Sequence, residues 1–249
     1  MWALIVVYMS VRVMSTDVLA VALGRGHRTD AVEPGTGGPA GNARLTAWTG
    51  LLLLVLSVAE LITLLDVRGL ISWHIGLGVL LVPPALLKTG STGWRIARYY
   101  TGRRTYVEAG PPPLLLRLLG PLVVIFTLAV LVSGVVLALI GPNNSRHVLV
   151  HLFGQRIDGV TLHQAAFAAW AVVTGLHVLT RLVPALQLTV LGSGKRDHVP
   201  GPRRRGVALV LSVAVAAASA ALVLGVSGGW RSEPPRGHEP PSAPGAPQP

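Results

Sequence analysis

Five long apolar blocks, separated by short polar or proline-rich stretches, organise the chain: residues 45–65, 71–87, about 118–140, 161–182 and 207–227. Each is close to the roughly 20 apolar residues that carry a helix through hydrocarbon, and each is almost free of charge. Hydrocarbon holds no water to pair with backbone N–H and C=O groups, so each block must satisfy its own backbone as a helix. None shows the apolar–polar alternation of a barrel strand. The pattern predicts an all-α membrane protein, a transmembrane helix bundle of about five spans.

The polar segments between the blocks set an orientation. Residues 88–117 carry six basic side chains and one acid, Glu108, and residues 181–205 carry six and one, Asp197. The alternate connections are nearly neutral, with Asp66 and Arg68 in one and Arg146, Arg156 and Asp158 in the other. The positive-inside rule puts both basic connections, and the N-terminus, in the cytoplasm of a multi-pass protein of the cell membrane. The formal net charge of +11 then reflects topology and attraction to anionic headgroups of the lipid bilayer. It does not mark a nucleic-acid partner, for which no binding fold is visible.

The ends add little. Residues 1–44 form a poorly defined leader and a Gly/Pro-rich linker, "EPGTGGPAGN". Arg12 and Asp17 interrupt its apolar run. The run is therefore a weak span and a weak secretory signal, and an upstream mis-assigned start at Met1, with Met14 the true one, accounts for it equally. Residues 191–206 read as a basic cytoplasmic loop, 207–227 as the fifth span, and 228–249 as a Pro-rich disordered tail outside the membrane.

Chemistry concentrates in histidine, because the chain has no cysteine; disulfides, cysteine-bound zinc and iron–sulfur clusters are excluded. His163 and His177 share the fourth span, fourteen residues apart. At about 100° and 1.5 Å per residue, the two imidazoles lie within roughly 40° of one helix face and roughly 21 Å apart along it. His74 opens the second span as His163 opens the fourth, so both sit at similar depth near the outer face. Two neutral imidazoles facing each other across a bundle can ligate one haem iron axially. Gly76, Gly78, Ser133 and Gly134 supply small residues at that depth. Glu60, the acid well inside the first span, lies near the same level. There it can fix the tautomer of a ligand histidine, take a proton from a quinol, or snorkel to the interface. Against the haem reading stands a plainer one, in which each histidine makes an interhelical hydrogen bond.

A His at the start of span two followed by a His-x13-His pair on span four resembles the b-type cytochrome subunits of membrane formate dehydrogenases and nickel–iron hydrogenases. The likeness covers roughly residues 45–182. It implies a four-helix cytochrome b-like bundle over residues 45–190, with His74 and His163 as ligands of an outer haem b. It also implies an inner haem between His177 and a histidine on span one, but that span, "LTAWTGLLLL", has none. His177 is thus structural, or holds a five-coordinate haem, or meets His27 folded back from the N-terminal segment.

Two further features are weighed. Pro83 and Pro84 should kink or loosen span two near its inner end, and the following mixture of Trp94, Tyr99, Tyr100 and Tyr106 with Arg95, Arg98, Arg103 and Arg104 suits the membrane interface or a partner's docking surface. His147 and His151, four apart, would share a face on a helix and could bind a metal. His198 and His238 lie in polar segments and are given no role. No Gly-rich phosphate loop or nucleophile motif is present. The reading is a non-catalytic subunit of an oxidoreductase, passing electrons between the quinone pool and a redox partner through at least one bis-His haem. Its alternative is a haem-free membrane anchor or small transporter subunit.

Overall fold

The computed structural model describes residues 19–20, 23, 30–110, 114–152, 154–191 and 199–231. The doubtful first span, His27, His198, His238 and most of the Pro-rich tail lie outside these residues. The elements run α1 Gly38–Thr63, a short 3-10 turn Leu64–Asp66, α2 Ile71–Tyr100, α3 Arg104–Glu108 and α4 Leu114–Ser145. A hairpin of β1 Val148–Leu152 and β2 Gln155–Asp158 follows. Then come α5 Gly159–Leu186, a wide turn Gln187–Leu191, α6 Pro202–Val226 and α7 Gly228–Arg231. Five helices, α1, α2, α4, α5 and α6, are long and apolar enough to cross a bilayer, and the chain is an all-α, multi-pass membrane protein.

Two helices are longer than their apolar blocks. α1 starts at Gly38, ahead of residue 45, because Pro39 presets the first turn and the added turns face α2. There Asn42 Nδ2 donates to the Ser91 carbonyl at 2.9 Å, and the Thr46 and Ser91 hydroxyls are 2.9 Å apart. α2 does not end at its proline pair but continues to Tyr100. Lys88, Ser91 and Arg95, at spacings of three and four, continue one helix face. Each bonds to the segment containing α1: Lys88 to the Thr46 carbonyl, Ser91 to Thr46, Arg95 to Asp30. Those bonds reward helix where a loop was expected, and a membrane helix tolerates proline once neighbours satisfy the freed carbonyls. Near the other end of α4, Gly141 takes φ 80° and breaks the helix before its last turn.

α2 is the central helix, packed along α1 on one side and α6 on the other, while α4 and α5 pair with each other. These two layers meet through sparser contacts, α2 with α4 and α1 with α5. The fifth span therefore belongs to the first layer, against span two, and is not an appendix to a closed four-helix bundle. Its seam is a small-residue stripe at spacing four, Ser212, Ala216 and Ala220, all buried. Such a stripe lets two backbones approach closely where no hydrophobic force joins helices. α5 has no fully buried residue; its apolar side chains face lipid on most sides.

The segments leading into α1 and α6 are pinned against each other. A Cβ at Gly37 (φ 81°) would lie 2.7 Å from Val199 Cγ1, so only glycine admits the segment before α6. Arg205 donates to the carbonyls of Pro200 at 2.7 Å, Val199 at 3.1 Å and Thr36 at 3.4 Å.

Candidate functional site

The layers are bridged by two histidines. His74, one turn into α2, and His163, one turn into α5, have ring centres 6.3 Å apart with ring planes at 81°. α5 is started by Asp158, whose carboxylate accepts from the Thr161 backbone N–H at 2.7 Å and its hydroxyl at 2.8 Å. These two bonds hold the Asp158 carboxyl below its usual range, and they fix the turn from which His163 projects.

Each imidazole is oriented through Nδ1. On His74, Nδ1 is 2.9 Å from Glu60 Oε1 and 3.0 Å from the Thr63 hydroxyl. On His163, Nδ1 is 2.9 Å from the Ser133 hydroxyl. The hydroxyl protons are already placed: Thr63 donates to the Glu60 carbonyl at 2.6 Å, and Ser133 to the Ala129 carbonyl at 2.7 Å. A hydroxyl has one proton to give. With the hydroxyl protons on those carbonyls, both oxygens accept from the rings; both Nδ1 atoms then carry hydrogen and, in the neutral rings, both Nε2 atoms keep a lone pair. The side-chain hydrogen bonds of both rings run through Nδ1, and His163 also faces the Val130 backbone. The site thus presents two half-buried imidazoles of matched tautomer, each with one nitrogen anchored and one available as a ligand.

The small residues divide between three tasks. A Cβ at Gly134 would stand 3.1 Å from His163 Cε1, so Gly134 lets α4 close onto that ring. Gly78 lies beside Glu60, whose Oε1 is 3.5 Å from its would-be Cβ. Gly76 was expected to clear space at the histidines; instead it faces Leu224 of α6, 3.4 Å from its would-be Cβ. It serves the seam between α2 and α6, because α6 packs on that side of the central helix. Thr63 escaped the sequence reading, although it stands three residues after Glu60 and so on the same helical face.

His177 is separate from this pair. Its Nδ1 is buried without a partner, as is the Thr174 hydroxyl one turn earlier. Its charged neighbours are Lys88 and Arg181. His147 and His151 do not share a helix face: His147 is in the bend after α4 and His151 in β1, paired with Arg156. The kink at Gly141 and the hairpin end the helical register there. Among the described residues no group of three or more His, Asp or Glu side chains converges on a metal-sized space. In comparisons with family models, curated proteins and solved structures, no match to this chain was found.

Proposed function

We propose that this chain is a b-type cytochrome subunit of a cell membrane, holding one haem b between His74 and His163 and passing electrons between a quinone and a redox partner. The observation that carries the reading is the geometry of the two rings. Imidazole nitrogens about 2 Å from a shared metal, on opposite sides of it, put their ring centres roughly 6 Å apart. The observed separation is 6.3 Å. The shared tautomer supports the same reading, because ligation requires the lone pair on the nitrogen that is not hydrogen-bonded. Sparse contact between the helix layers favours an intervening group over a closed hydrophobic seam.

When bound, haem supplies a one-electron couple whose potential the surrounding protein tunes. The chain's own residues do the rest. His74 and His163 hold the ring from two different layers. Glu60 and Thr63 would fix the orientation of His74. Ser133 fixes His163, and Gly134 admits it.

The test is spectroscopic. Purified from cells supplied with haem precursor, the protein is expected to show a Soret band and sharp low-spin α and β bands after dithionite. His74→Ala and His163→Ala should each abolish the six-coordinate spectrum, and His177→Ala should retain it. A six-coordinate haem that survives either of the first two substitutions would refute the pairing.

A further inference from the structure

A second cluster of charge lies at the other end of the bundle. Lys88 and Arg95 lie on α2 past its proline pair, and His177 and Arg181 lie one turn apart on α5. Arg95 is satisfied: its guanidinium pairs with Asp30 at 2.6 and 3.4 Å. Lys88 is not. Its ammonium, half-buried between helices, has as its hydrogen-bond partner a backbone carbonyl, that of Thr46 at 3.1 Å. It occupies a notch in α1 left by Gly50, 2.8 Å from where a Cβ would be. Arg181 has no hydrogen bond or ion pair among the described residues, and its charge acts on Arg95, Asp30, Lys88 and His177. Among the described residues, the carboxylate beside these three cations is that of Asp30, which pairs with Arg95.

The same place holds polar atoms without partners. His177 Nδ1 and the Thr174 hydroxyl, three residues apart on one face of α5, are buried and unbonded. A buried donor left unmade is costly, and native proteins retain few. Among the described residues, cations that outnumber the carboxylate beside them, next to polar atoms without partners, describe a receptor for an anion. Depth narrows its chemistry. Counted from the far ends of their helices, Lys88 lies about 26 Å and Arg181 about 33 Å along the axis, astride the edge of a hydrocarbon layer about 30 Å thick. Arg181 is exposed on the outer surface of the bundle, so the cluster opens sideways at headgroup level. Arginine and lysine together at that level match a phosphate: a fork for two oxygens and a point charge for a third.

We infer that Lys88, Arg181 and His177 form a binding site for a phosphate group at the bilayer surface, the phosphodiester of an anionic lipid being the source that the position favours. Lys88 forms its inner wall, Arg181 its mouth, and the unpartnered Nδ1 of His177 its neutral contact. The inference is independent of the haem reading.

Native mass spectrometry and thermal melting of the detergent-purified protein test it, with phosphatidylglycerol, phosphatidylcholine and inorganic phosphate added in separate arms. Phosphatidylglycerol should bind at least tenfold more tightly than phosphatidylcholine and raise Tm. Stabilisation by inorganic phosphate alone would keep the site and assign it to a soluble ligand. Lys88→Gln with Arg181→Gln should abolish the preference, while Arg203→Gln with Arg204→Gln, on the exposed first turn of α6, should keep it. Lys88→Met removes the uncompensated charge but keeps the buried stem, and so supplies a folded variant should the double substitution fail. An equal loss in both pairs of variants, or a preference retained in Lys88→Met, would reduce the cluster to unspecific surface attraction and overturn the assignment. A second haem per chain lost on His177→Ala would also overturn it.

Discussion

The Thr63 and Ser133 hydroxyls decide the chemistry of two histidines they flank. Each lies within hydrogen-bond reach of a carbonyl of its own helix, Glu60 and Ala129 respectively, and a proton given there leaves the oxygen to accept from the ring. Partners of this kind are worth about 10–100-fold in metal affinity where they have been removed from other sites. Glu60→Ala should therefore weaken haem retention about 10–100-fold in a titration of apoprotein, while Glu60→Gln, still an acceptor, should keep most of it. Equal retention in Glu60→Ala and the parent would show that the carboxylate does not orient His74. Gly134→Ala sets a methyl 3.1 Å from His163 Cε1. The crowding should cost about 1–3 kcal/mol, read as a lower Tm together with a shifted Soret band. A lower Tm with an unmoved band would place Gly134 outside the ligand's surroundings. At this scale His74, His163, Ser133, Gly134 and Glu60 were legible from depth alone, since helix rise converts sequence position into height in the membrane. Thr63 was legible only by its spacing from Glu60, and Gly76 was misplaced because depth gives no azimuth.

At the scale of elements, α5 depends on how it starts. Asp158 caps it and, with its carboxyl held below the usual range, contributes stability that is fully present above the unfolded-state value, about 3.9. That contribution is lost as pH falls through the lower folded-state value. Hydrogen exchange of the first turn of α5 should therefore stay protected down to about pH 4 and open below it. In Asp158→Ala it should be open throughout the range. Protection in that variant equal to the parent's would mean that the hairpin, and not the cap, begins the helix. The hairpin itself was not foreseen. Its five- and four-residue strands lie where the apolar pattern is short and mixed, and a His-x3-His spacing fits a helix as readily. The extension of α2 was hidden by Pro83 and Pro84. Proline marks the end of a soluble helix reliably, but a membrane helix with polar contacts beyond the proline carries on.

The described helices form two layers, α1–α2–α6 against α4–α5, with histidines bridging them at one end and Lys88, Arg95 and Arg181 at the other. The number of spans was readable from the apolar blocks because lipid imposes a length on each. The layering was not, since a membrane helix is apolar all round and its pattern does not name the neighbour. The stripe of Ser212, Ala216 and Ala220 was the one available sign of where α6 packs. The basic connections predict an orientation, and the absence of cysteine makes it simple to measure. A cysteine at Thr101 should react with an impermeant maleimide only from the cytoplasmic side, and one at Gln155 only from the opposite side. The reverse pattern would invert the molecule and put the histidine pair at the inner face.

The central claim is that one porphyrin is shared between His74 and His163, and counting it is the most direct trial. A pyridine haemochrome assay on purified, haem-replete protein, normalised to amino-acid analysis, should give one haem b per chain, falling to a residual trace in His74→Ala. A count near zero in the parent protein, under conditions where a control cytochrome of the same membrane is fully loaded, would contradict the account.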